Sequence, residues 1–194
     1  MKHPSTRSLY TYWNERRGTR PAPDRGEIEP GAIRPALGDS FILSSEAGGA
    51  HTFRLAGTRV CSLFGRELKG LPFDAAWDQA DRTAMQDLLA IVANEIAGIV
   101  AGVRALTADA HGVDLELLLL PLRHRGNSRE RQIGVLAPLA TPFWLGAHPI
   151  VQLSLTSHRH VGPALAPAAV TPFMAASDSG RMRRGLLVYD GGRA

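Results

Sequence analysis

Cysteine is almost absent from this chain: Cys61 stands alone among 194 residues, so no internal disulfide can form. Lysine is nearly as scarce. Only Lys2 and Lys69 are lysine, and all the rest of the 22 basic residues are arginine. Long apolar runs are missing too, because the best window, Leu88 to Val103, is interrupted by Asn94 and Glu95 and falls short of a membrane span. The first eighteen residues hold no apolar stretch of the kind a secretory signal needs. Together these absences predict a cytoplasmic protein in a reducing compartment.

Catalytic signatures are missing as well. The sequence has no Gly-x-Ser-x-Gly elbow, phosphate-binding loop, dinucleotide fingerprint or His-Glu-x-x-His pair. The expectation is therefore a chain that is not an enzyme. The net charge of +4 is small, and the arginines are scattered rather than interleaved with aromatics on a strand, which argues against a nucleic-acid surface.

What is present is an ordinary globular composition, 44% hydrophobic and 21% charged, enough for one buried core. Leu9, Tyr12, Trp13 and Arg16 recur at helical spacing, with Thr6 as an expected N-cap and Gly18 where a helix would stop. That greasy stripe must pack against something, and Leu9, Tyr12 and Trp13 are the candidates for a homodimer contact. Thr19 to Pro35 is rich in proline and glycine and reads as an extended connection. Strands are expected at 40–44 and 51–57, with Phe53 and Leu55 alternating onto one face. Short helical turns follow, punctuated by Gly65, Gly70 and Pro72. A long helix is expected from Asp81 to about Ile99, its core stripe formed by Met85, Leu88, Leu89, Val92, Ile96 and Ile99.

The remainder is strand-like: Val100 to Ala108, Val113 to Leu122 and Gln132 to Ala140, then an alternating run, Val151 to Thr156. Pro121 cannot donate to a ladder and marks a strand end or bulge. The chain thus divides into an N-terminal helix and connection (1–35), an α+β domain (36–160) and a Pro/Ala/Gly-rich tail (161–194) expected to be disordered. The sheet is expected to be antiparallel, of about five strands, with helices on one face.

This order of elements resembles the PAS fold. The stretches Phe53-Arg-Leu-Ala-Gly-Thr58, Leu63-Phe-Gly-Arg-Glu-Leu-Lys-Gly70 and Asp78-Gln-Ala-Asp81-Arg82 are similar to the PAS consensus. Tyr12-Trp13, Arg20-x-x-Pro23, Trp77, Glu116 with Leu118 to Leu122, and Trp144-x-Gly146 extend the likeness to a family of small stand-alone PAS proteins of alphaproteobacteria. The resemblance implies a sensory or regulatory domain of signal transduction. Its partner would be a small apolar or aromatic ligand, or another protein. It also implies a pocket between the sheet and the short helices. Leu55, Phe64, Trp77, Leu88, Val92, Glu116 and Leu118 are the candidate lining.

No cofactor is identifiable. A flavin photosensor of this fold would carry a reactive cysteine just after the second glycine, where this chain reads Leu71-Pro72-Phe73, so Cys61 is read as a small buried hydrophobe. A haem sensor would draw a histidine from the long helix, which has none. His158 and His160 share one strand face, but no carboxylate or cysteine completes a set, so no metal site is expected. Glu116 interrupts an apolar strand. It is either solvent-facing or a ligand-orienting group, with Arg104 its natural cross-strand partner. Three readings remain open: a ligand-binding sensor, an interaction adaptor whose core is filled, and a small enzyme that uses the cupped sheet cavity, for which Glu116 is the one polar candidate.

Overall fold

A computed structural model describes residues 1–45, 49–94, 97–124, 127–162, 181–183 and 186–188. Helix α1 runs Pro4–Arg17, one turn earlier than the sequence suggests. His3, not Thr6, caps it: its ring nitrogen accepts from the Ser5 amide at 3.2 Å, and Pro4 takes the first-turn position that needs no donor. Arg16 and Arg17 sit in the last turn, where positive charge suits the helix dipole, and Gly18 closes it at φ +56°. The expected extended connection coils instead into two 3-10 segments, Arg25–Glu27 and Pro30–Asp39. Strands β1 (Ser40–Ser45) and β2 (His51–Ala56) form a hairpin.

Helix α2 (Thr58–Phe64) and a 3-10 turn at Phe73–Ala76 follow. Helix α3 (Gln79–Asn94) comes next. It ends earlier than expected, so Ile99 lies in β3 (Gly98–Thr107), opposite Leu119, and not on the helix stripe. Ile96 lies outside the described residues. Asp78 precedes α3 and accepts from the Ala80 amide at 3.4 Å, while Asp81 accepts the Leu155 amide at 2.7 Å and so ties the helix to the sheet. Three further strands complete the sheet: β4 (Gly112–His124), β5 (Asn127–Pro138) and β6 (Ile150–Val161).

All six pair antiparallel in the order β2-β1-β5-β4-β3-β6. The Val151 run is therefore the sixth strand, at the edge beside β3. Separately, β7 (Arg181–Arg183) and β8 (Leu186–Val188) pair as a short ribbon. The expectation of a disordered tail falls otherwise outside the described residues.

The sheet is covered on both faces. On the inner face α2, α3 and the Phe73 turn bury Phe64, Trp77, Leu88 and Val92 against Leu115, Leu117 and Leu119. On the outer face α1 and the 25–39 segment bury Leu9, Tyr12 and Trp13 against Leu118, Leu120 and Leu122. This is why the middle of β4, Leu117 to Leu120, is apolar without alternation: both of its sides are buried there. Gly57 shows how tightly the outer segment meets the hairpin. Its amide donates to Ser40 at 2.8 Å, and a Cβ there would lie 2.2 Å from the Leu37 carbonyl oxygen, so only glycine fits.

Candidate functional site

The four inner-layer candidates meet, but around solid protein. Phe41, Phe53, Phe73 and Trp77 fill the space beneath the short helices, with ring centroids 5.4–6.0 Å apart along the chain of contacts. The void left among Phe53, Phe64, Leu68, Phe73, Leu136 and Leu153 is only about 20 Å³, room for about one water. Trp77 is 3% exposed, and its indole N–H finds no partner among the described residues.

The other three candidates lie elsewhere. Opposite Leu43 and Ile42 stand Phe53 and Leu55, which leaves Arg54 as the extra residue of a β-bulge. The bulge rotates Leu55 off the Phe53 face, so Leu55 is 49% exposed on the outer side. Leu118 is fully buried in the outer cluster. Glu116 is buried as well, but it binds the start of the chain: it accepts from the Lys2 amide at 2.7 and 3.0 Å and the His3 amide at 2.8 Å. Burial alone would raise its pKa. The His3 and Lys2 amides outweigh this and hold it below the ordinary carboxylate range. Arg104 instead pairs with Asp114 at 2.9 Å.

The dimer candidates are also spoken for within the chain. Leu9 and Trp13 are fully buried and Tyr12 nearly so. Trp13 donates to the Pro121 carbonyl at 2.8 Å, a group whose own strand position lacks a donor. The Tyr12 hydroxyl donates to the Glu27 carbonyl and accepts the Glu29 amide. Their apolar stripe is buried within the chain, against the outer face of the sheet. Cys61, on α2, is half-buried, and burial pushes its thiol pKa up, which disfavours the nucleophilic thiolate.

The larger open feature is on the outer face. Between the Pro30–Asp39 segment and the β1–β2 hairpin runs an apolar groove of about 400 Å³, floored by Ile28, Ile33, Leu37, Ile42, Leu55 and Ile133. It continues into a second hollow of about 410 Å³ that shares Arg25, Ile42 and Leu55 and adds Arg54, Lys69 and Arg131. No Asp or Glu is among the described lining of either. The carboxylates of the same segment are engaged elsewhere: Glu27 and Asp24 with Arg20, Glu29 with Arg16. At the far end Asp39 accepts from Ser5 of α1 at 2.6 Å and pairs with Arg59 of α2 at 2.7 Å. Burial would raise its pKa, but the bonds from Arg59 and Ser5 prevail and lower it. The sequence gives no sign of this groove. Its cations, Arg25, Arg54, Lys69 and Arg131, are scattered along the sequence, and the bulge that turns Leu55 outward is invisible in a run that alternates perfectly.

Among the described residues no helix is long and apolar enough to cross a membrane. Among curated proteins none matches the chain. Among solved structures, the chain is similar to an RNA-binding light-oxygen-voltage receptor at 18% identity and a TM-score of 0.45. The likeness covers 64% of this chain and only 36% of the receptor. It is also similar to the PAS domain of a protein from Colwellia psychrerythraea at 15% identity and a TM-score of 0.42, over 57% of this chain and 97% of that domain. The PAS domain family model matches residues 1–137, well over half of the sequence. The chain belongs to the PAS domain family.

Proposed function

We propose that this PAS domain is a non-catalytic regulatory module that works through its outer groove, where it takes an acidic, amphipathic segment of a partner protein. The observation that carries this reading is the groove itself: an apolar floor rimmed by Arg25, Arg54, Lys69 and Arg131, with no carboxylate in its described lining. An apolar floor and a one-signed rim suit an occupant with an apolar face and negative flanks. No exposed aromatic lines the groove to stack a base, which disfavours nucleic acid. The filled inner layer supports the same choice, because it leaves no room for a flavin, haem or nucleotide. Occupancy has a path to the rest of the domain: Asp39 ends the groove segment and bonds both α1 and α2, so a shift of that segment loads both helices.

The test is fluorescence anisotropy with a labelled helical peptide carrying leucine on one face and glutamate on the other. Saturable binding is expected, weakened about tenfold or more by Arg54→Glu with Lys69→Glu or by Leu55→Asp, and reduced by salt. A lysine-for-glutamate peptide should not bind. Saturation by laurate in place of the peptide, lost in the same variants, would make the occupant a small anionic amphiphile. Silence of both probes would overturn the reading.

A further inference from the structure

At the opposite end of the sheet, the β3–β4 turn and the lead-in to β6 bring Asp109, His111 and His148 together. Their ligand atoms all lie within 4.8 Å of one another, the one group of three or more such donors among the described residues. We propose that these three side chains form a binding site for a late first-row divalent metal ion of the Zn²⁺ type. The reading is independent of the groove and of what occupies it.

The donor set selects the ion. Two imidazoles with one carboxylate suit Zn²⁺, Ni²⁺ or Cu²⁺, whereas Ca²⁺ and Mg²⁺ favour all-oxygen cages. Metal–ligand distances of about 2.0–2.2 Å put tetrahedral ligands roughly 3.3–3.5 Å apart, so closure asks each side chain to move by about 1 Å. All three are exposed at the surface. His148 Nδ1 already lies 3.1 Å from Asp109 Oδ2.

The backbone places the donors before any ion arrives. Thr107 braces the turn three times: its amide donates to the His111 carbonyl, its carbonyl accepts the Ala110 amide, and its hydroxyl accepts the His111 amide. Ala110 is held at φ +60°, unusual for a residue with a Cβ, and sets Asp109 and His111 on either side of it. The His111 ring lies stacked on Trp144, a buried residue, at 5.4 Å and 25°. The Trp144 carbonyl accepts the His148 amide at 3.0 Å, so one residue positions both imidazoles. Three protein ligands leave further coordination positions open to water or to a donor from another molecule. Bound metal would clip the turn to the segment entering β6, where Thr107 and Ile150 are already paired.

The rival pair, His158 and His160, sits exposed on β6 with no third ligand among the described residues. Titration calorimetry with ZnCl₂ on tag-free chain separates the two. One ion per chain is expected, with affinity lowered about tenfold or more by His111→Ala or by His148→Ala, less by Asp109→Asn, and unchanged by the His158→Ala/His160→Ala double variant. The melting temperature should rise by roughly 5–10 °C at a hundredfold excess over Kd, and not in the His111 variant, whose circular dichroism should stay that of the wild type. No binding at millimolar Zn²⁺, binding that survives His111→Ala, or binding lost only in the double variant would each overturn the site.

Discussion

Glu116 illustrates how a single buried charge can be structural and still look functional. It is the carboxylate that stands inside an apolar strand, yet its partners are the main-chain amides of Lys2 and His3, just ahead of α1, with the Met1 ammonium 3.8 Å away. Its folded pKa lies below the ordinary value, so it adds stability above the unfolded-state pKa and loses it as pH falls through the depressed one. Glu116→Gln keeps the shape and removes the charge. The variant should lose about 1–2 kcal/mol near neutral pH, as hydrogen bonds to a charged group weaken to neutral ones. Urea unfolding should show that difference shrinking below about pH 4. A gap that stays constant on acidification would mean that the charge contributes nothing.

Helix α1 earns its place by covering the outer face. Each of Leu9, Tyr12 and Trp13 contributes about 1.5–3 kcal/mol by burial, roughly 5–9 kcal/mol together. That is comparable with the whole stability of a typical domain. Removal of residues 1–18 should therefore abolish cooperative unfolding and near-ultraviolet dichroism. A truncated chain that melts normally would show that the helix is an accessory.

The sequence announced this helix well, because periodicity and a terminal glycine are local signals. It does not name what covers the helix, because a stripe says that something is buried and not by what. The same limit governs the inner and outer residues of β4. The leucine run from 117 to 120 carries no parity, so the sequence alone does not separate Glu116 and Leu118 from Leu115, Leu117 and Leu119, which face the inner layer. The strand at Val151 was legible, and its place beside β3 was not, since pairing is decided at long range. The α3 end slipped because Ile99 fits a helical spacing as well as it fits a strand.

At the scale of the molecule, the inner layer behaves as core and the outer groove as the open surface. Trp77→Ala should cost about 3–5 kcal/mol, as deletion of a large buried side chain does. Flavins, nucleotides and haem should leave the wild-type melting curve where it is. A stabilising shift from any of them would show that the aromatic plug of Phe41, Phe53, Phe73 and Trp77 opens.

The double-sided burial of β4 has a further consequence for how the domain comes apart. Leu115, Leu117 and Leu119 belong to one core and Leu118, Leu120 and Leu122 to the other, so each hydrophobic layer takes a wall from the same thirteen-residue strand. Neither layer can melt while leaving the other intact, which welds residues on both sides of the sheet into one cooperative unit. Breathing is left to the rims, such as the edge strand β6, whose residues 156–160 are exposed. The amides of β4 are thus the last to meet solvent, reached only when the sheet as a whole gives way.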